Sequence, residues 1–182
     1  MRTTRLSLLG GALGVALLSG ALAAGEAGQR NRVSPHETVS AAVDGAELTM
    51  TYGRPSMRGR QIFGALVPYD VVWCPGADEA TTLESSKPLR IGSLAVPPGP
   101  HTIWMLPTAG AWTLVVSKEP SGFHTRYNAS ADLGRVPLEK QTLDAPVEQL
   151  TFAITKNAAG SGGTIEMRWA TTRVAAAFSV VQ

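Results

Sequence analysis

The sequence predicts an all-β fold: a single-domain antiparallel β-sandwich, jelly-roll-like, of about nine to eleven short strands, preceded by an N-terminal signal peptide. Three observations predict it. Beyond Ser34 the apolar residues recur with period two, and no segment keeps a 3.6-residue period over three turns. Turn-forming pairs such as Asp44-Gly45 and Pro75-Gly76 separate these runs at short intervals. Hydrophobic residues make up 44% of the chain and charged residues 16%, the balance of a packed core rather than a disordered tail. No fixed-period repeat and no second composition regime divides the chain, so propellers and solenoids are disfavoured.

The elements follow in chain order. Thr38–Val43 and Glu47–Tyr52 flank Asp44-Gly45, with Leu48, Met50 and Tyr52 on one face, which is a strong hairpin signal. Gly53–Gly64 breaks the alternation with glycines, a proline and arginines, and reads as a long loop. Leu66–Cys74 is largely apolar, ends in Val71-Val72-Trp73 and reads as a buried strand. Ala80–Ser85 is a Thr-rich strand, and Leu89–Val96, with Gly92 inside it, is a short strand or tight hairpin. His101–Leu106 and Ala111–Ser117 are strands around the turn Pro107–Gly110. Residues 119–134 read as an irregular excursion. Val136–Thr142, Glu148–Thr155, Thr164–Trp169 and Arg173–Val181 are the remaining strands, with a flexible turn at Asn157–Gly163.

The first residues carry a targeting pattern. Arg2 and Arg5 are followed by an uncharged run from Leu6 to Ala24, and Ala21-Leu22-Ala23 supplies small residues at a cleavage spacing. The expected organisation is a signal peptide over 1–23, a flexible leader over 24–34 and the β-sandwich over 35–182. The protein is therefore expected to be exported, periplasmic or secreted, with no membrane association after cleavage. Loss of Arg2 and Arg5 lowers the basic count from 16 to 14, equal to the 14 acidic residues. A neutral exported chain lacks the positive field that nucleic acid demands. One cysteine cannot form a disulfide within the chain or a cysteine-built zinc module.

Two clusters could carry chemistry. The first runs from Tyr52 to Gly64 and contains Arg54, Arg58 and Arg60. Guanidiniums on a glycine-rich loop grip a carboxylate, a phosphate or a sulfated sugar through paired N–H donors. The alternative is that they pair with Asp70, Asp78 and Glu79 and pin the loop. The second runs from Trp73 through Cys74, Asp78 and Glu79 to Thr81. Cys74 needs a cation, a histidine or a helix N-terminus to become a nucleophile, and its neighbours in sequence supply none. A lone cysteine closing an apolar strand is otherwise a small buried hydrophobe. His36, His101 and His124 show no ligand spacing, so no metal site and no cofactor is expected. Trp104, Trp112, Trp169 and Phe123 fit either a sugar-stacking platform or the core. Phosphate-loop, dinucleotide, zincin and serine-hydrolase motifs are absent from the sequence.

A run of short motifs resembles an exported bacterial family, domain of unknown function 2911. The matching stretches include Ser34-Pro35, Tyr52-Gly53-Arg54-Pro55, Arg58-Gly59-Arg60 and Ile62-Phe63-Gly64. They continue through Leu66-Val67-Pro68-Tyr69, Val72-Trp73, Gly76-Ala77, Ala80-Thr81-Thr82 and Val96-Pro97. Further on they include Trp112, Tyr127, Asp132-Leu133-Gly134-Arg135-Val136 and Ala145-Pro146-Val147-Glu148. The resemblance spans Ser34 to the C-terminus and implies an exported, single-domain protein without bringing an activity. Cys74, Asp78 and His101 stand where an Arg, an Asn and a Tyr are usual in such proteins.

Three functions compete on this reading. The first is non-enzymatic binding of a small anionic ligand, a glycan or an envelope protein, through Tyr52, Arg54, Arg58, Arg60, Trp73, Cys74, Asp78, Glu79, His101 and His124. The second is a hydrolase or thiol-dependent enzyme using Cys74, His101 and Asp78 or Glu79, which requires hydrogen-bond reach between nucleophile and base. The third is a purely structural envelope protein. An open concavity holding an unpaired arginine separates the first from the third.

Overall fold

Asp44 and Gly45 take left-handed backbone angles (φ 49° and 78°), the turn that the right-handed twist of two joined strands favours. They connect β1 (His36–Val43) to β2 (Ala46–Gly53) in antiparallel register. Leu48, Met50 and Tyr52 face inward and are fully buried, each contributing about 2 kcal/mol by leaving water. The outer face carries hydroxyl pairs instead, Thr38 with Thr51 at 3.2 Å and Ser40 with Thr49 at 3.1 Å. The structure is a computed structural model and describes residues 34–158 and 160–182. The predicted signal peptide over 1–23 and nearly all of the leader over 24–34 lie outside the described residues.

The remaining strands are β3 (Thr82–Ser85), β4 (Leu89–Ile91), β5 (Leu94–Val96), β6 (Gly99–Pro107), β7 (Trp112–Ser117), β8 (Asp132–Lys156) and β9 (Gly163–Val180). All nine join one antiparallel sheet in the order β1-β2-β3-β6-β7-β8-β9-β4-β5. The two layers of the expected sandwich are thus halves of one continuous sheet. β8 makes this possible, because its first residues pair with β7 and its later ones with β9. Its register with β9 shifts between Thr142 and Val147 and again before Thr151, and Pro146, which has no N–H to donate, falls in that irregular stretch.

Beyond β2 the chain continues extended and meets β8. Leu150 N–H donates to the Pro55 carbonyl at 3.0 Å and Met57 N–H to the Glu148 carbonyl at 2.8 Å. Met50, Leu83, Ile103 and Leu114 from one half then face Phe152, Met167 and Val174 from the other around a residual void of about 10 Å³. A second, smaller cluster of Cys74, Ala80, Trp104 and Val115 lies apart from this core. The excursion after β7 packs on it, with Tyr127 tilted against Trp104 at 5.2 Å. Tyr127 is anchored in turn: its hydroxyl donates to the Asp132 carboxylate and accepts from Arg135, both at 2.8 Å.

Three expectations need correction. Leu66–Cys74 is not a buried strand. Leu66 and Val71 are 47% and 54% exposed, Asp70 turns left-handed at φ 64°, and only single bridges form at Val67 and Trp73. Pro68 removes a donor inside the run and Pro75 follows directly at its end, so its apolar residues pack individually. Val136–Thr142 and Glu148–Thr155 are parts of one strand, β8, interrupted by bulges. Thr164–Trp169 and Arg173–Val181 are likewise covered by β9, bent at Ala170, whose φ is 50°.

The first turn is also tied to the connection between β8 and β9. The Asp44 carboxylate accepts the Gly162 backbone N–H and pairs with Lys156 at 3.4 Å. The Gly162 hydrogen bond, then Lys156, hold its pKa below the ordinary carboxylate value. A depressed folded pKa adds stability that is complete above the unfolded value near ~4 and is lost as pH falls through the folded one. Asp44→Asn should therefore melt lower than the parent at neutral pH. The difference should close progressively in acid, as read from melting temperatures across an acid titration; a gap independent of pH would contradict the assignment.

Candidate functional site

The site is built on an aromatic floor. The indole of Trp73 stacks on Trp169 with ring centres 6.0 Å apart and planes 15° from parallel. Phe63 meets both edge-on at 6.0 Å and meets Trp112 at 4.7 Å. Edge-to-face and offset-stacked rings at such spacings attract beyond the area they bury. Trp169 is further fixed by its Nε1–H, which donates to the Glu148 carbonyl at 3.3 Å.

Above this floor runs the loop that follows β2. At Gly53 a Cβ would fall inside the Ala77 carbonyl, so only glycine lets the end of β2 pass against the 74–79 segment. Arg54 then grips three partners: Nε donates to the Leu150 carbonyl at 3.1 Å, Nη2 to Thr151 Oγ1 at 2.9 Å, and Nη1 meets Glu37 Oε2 at 2.7 Å. Arg58 (φ 51°) and Gly59 (φ 70°) are consecutive left-handed residues and turn the chain back on itself. The Arg58 N–H is held by Glu148 Oε1 at 2.8 Å, while its guanidinium has no hydrogen-bond or ion-pair partner among the described residues. Arg60 caps its own loop, donating from Nε to the Met57 carbonyl at 2.9 Å and from Nη2 to the Ser56 carbonyl at 2.7 Å. Its charge meets no carboxylate among the described residues.

These pieces enclose an open cleft of about 370 Å³. Arg58, Arg60, Trp73 and His124 line it, with Ser56 and Trp169 among the other walls. His124 Nδ1 lies 2.6 Å from the Asp78 carbonyl, which only accepts, so Nδ1 carries the proton and Nε2 is left for another partner. The cleft therefore offers two guanidiniums, an imidazole and an indole to one guest.

The other nominated residues are elsewhere. Tyr52 is core: its hydroxyl accepts the Phe152 N–H at 3.1 Å, its ring meets Phe152 edge-on at 5.0 Å, and burial raises its pKa. Arg54 is a clamp between strands. Cys74 is buried; its Sγ accepts the Thr81 N–H at 3.3 Å and faces the Ile103 carbonyl at 3.8 Å. Burial pushes its pKa up to about 11. Asp78 sits at φ 66° with Oδ2 buried and without a hydrogen-bond partner. Glu79 Oε2 lies 3.6 Å from His36 Nδ1. His101 is enclosed between the Ser117 carbonyl at 2.9 Å and the Pro97 carbonyl at 3.0 Å. Cys74, His101, Asp78 and Glu79 do not meet in the cleft. No group of three or more potential metal ligands occurs among the described residues.

Some lining residues carried little sequence signal. Trp169 lies nearly a hundred residues beyond Trp73, and nothing local pairs the two. Trp104, Trp112 and Trp169 are all buried, Trp169 at 2% exposure beneath the cleft, so the indole that the cleft presents is the half-buried Trp73.

The molecule is thus an all-β protein with an open cleft that is cationic and aromatic. The model of the family described as protein of unknown function (DUF2911) matches residues 34–178, and the chain belongs to that family. No curated protein and no solved structure matches it.

A buried thiol with a raised pKa is unreactive. Cys74 should resist a disulfide-exchange reagent at mildly alkaline pH in the folded protein and titrate fully once guanidinium unfolds it. Rapid labelling without unfolding would overturn its placement.

Proposed function

We propose that the protein is exported and binds a small anionic ligand, such as a carboxylate or a phosphate, in the cleft of Arg58, Arg60, His124 and Trp73. The observation that carries this reading is the Arg58 guanidinium, which lines an open cleft and has no partner among the described residues. An ion pair that served only to pin the loop would have occupied it, as Glu37 occupies Arg54. Planar paired donors match carboxylate and phosphate oxygens, and Arg60 is already held in place by its two carbonyl bonds. His124, with Nδ1 satisfied, presents its other nitrogen as a third polar contact.

Binding accounts for these groups better than catalysis. A thiol route would need Cys74 as a thiolate, and its burial opposes that form. A purely structural role suits Arg54 and leaves Arg58 without a task. Export rests on the order of Arg2, Arg5, the uncharged run and Ala21-Leu22-Ala23.

A ligand that binds only the folded state raises the melting temperature. Millimolar carboxylates or phosphates should therefore stabilise the parent. Arg58→Ala, which removes a charge-assisted contact of about 2 kcal/mol, should weaken binding on the order of thirtyfold. Absence of any shift across the anion panel would end the reading. The export arm is checked by the intact mass of the chain expressed with its own N-terminus. It should be recovered outside the cytoplasm without residues 1–23, and a full-length cytoplasmic product would contradict it.

A further inference from the structure

A second cleft, of about 320 Å³, adjoins the first. Arg60 lines both. Its character differs from that of its neighbour. Arg60 is the one charged residue lining it, and the other polar groups are Gln61, Tyr69, Thr171 and Thr172. The hydroxyls of Tyr69, Thr171 and Thr172 have no hydrogen-bond partner among the described residues.

The backbone of β9 is bent to make this wall. Successive side chains of a regular strand point to opposite faces, so two adjacent residues do not share one. Ala170 has φ 50°, a conformation that an alanine adopts only at a cost of about 1–2 kcal/mol. With the alternation broken there, Ala170, Thr171 and Thr172 all line the same cleft. The opposite wall is the loop carrying Met57, Arg60 and Gln61, which also borders the first cleft. Phe63, in this second cleft, touches Trp73 and Trp169 in the first.

We propose, resting on the anion-binding reading above, that the ligand is an acidic oligosaccharide whose carboxylate-bearing unit sits at Arg58 and His124 and whose next units cross Arg60 into the hydroxyl-lined cleft. Uncharged donors and acceptors without internal partners fit sugar hydroxyls, and the face of an indole fits the apolar face of a pyranose. Ligand sites span roughly 300–1,000 Å³, so each cleft alone suits a single unit and the two joined at Arg60 suit an oligomer. An extended peptide fits less well. It would seek an open ladder of backbone groups, and the loop between the clefts has spent its own: Arg60 N–H on Met57, Gly64 N–H on Val67 and Val67 N–H on Ile62.

The test is a tryptophan-fluorescence titration of the full chain with galacturonic acid and with its dimer and trimer. Neutral maltotriose and a triglutamate peptide serve as controls. The trimer should bind about tenfold or more tightly than the monomer, and maltotriose should not bind. The double variant Thr171→Val, Thr172→Val should lose most of that gain while leaving monomer affinity unchanged, whereas Arg58→Ala should weaken every acidic sugar. If the monomer binds and length adds nothing, the extension into the second cleft is wrong and the anion site stands. If phosphate or acetate binds and galacturonate does not, or if triglutamate outbinds the trimer, the ligand class is wrong. If no anion binds, both proposals fall together. Far-ultraviolet circular dichroism of each variant separates loss of contacts from loss of fold.

Discussion

Closure of the sheet depends on a short extended segment, residues 54–57, laid against the middle of β8. Two backbone hydrogen bonds join the segments, and Arg54 locks them by bonding the Leu150 carbonyl, Thr151 and Glu37 at once. Without that seam, the half of the sheet containing β2, β3, β6 and β7 would have no fixed angle to the half containing β9, β4 and β5. Leu48, Met50 and Tyr52 would then have no defined surface to pack against. The Tyr52 hydroxyl, bonded to the backbone of Phe152, is a second fastening on the inner side of the same seam.

The cleft is a by-product of how the seam ends. After Met57 the chain must leave β8, and the left-handed pair Arg58 and Gly59 turns it away. The turn leaves the Arg58 side chain exposed, while Glu148, whose carbonyl already takes one of the two seam bonds, holds its backbone through the carboxylate. The same carboxylate-bearing residue accepts the Trp169 indole N–H through its carbonyl. One residue of β8 therefore fixes both the cationic wall and the aromatic floor. Arg54 and Arg58 sit four positions apart and serve opposite ends: one is consumed by the fold, the other is presented by it.

Much of this architecture is legible in the sequence because its causes are local. Asp44-Gly45 dictates a hairpin, and the alternation of Leu48, Met50 and Tyr52, or of Trp112, Leu114 and Val116, tells which face turns inward. The apolar run from Leu66 to Cys74 misleads for an identifiable reason: composition reports burial, while Pro68 within it and Pro75 at its end withhold the ladder. The clusters around Arg58 and Trp73 are visible as motifs, and both reach the cleft. What the sequence hides is long-range. Three arginines of one residue type look alike until Leu150 and Thr151 claim the first of them. Trp169 is indistinguishable from Trp112 until the bend at Ala170 sets its surroundings. Thr171 and Thr172 read as a gap between strands, because a kink in one continuous strand leaves no compositional mark.

The parallel indoles of Trp73 and Trp169 have an optical consequence. Two such chromophores held 6.0 Å apart in fixed orientation couple their electronic transitions. Coupled transitions split into paired bands of opposite sign in the ultraviolet circular dichroism spectrum. That couplet depends on the relative orientation of the two in-plane transition moments rather than on secondary structure. The protein thus carries an intrinsic gauge of its own cleft geometry, readable without a label, that a guest pressing on Trp73 would perturb before any strand moved.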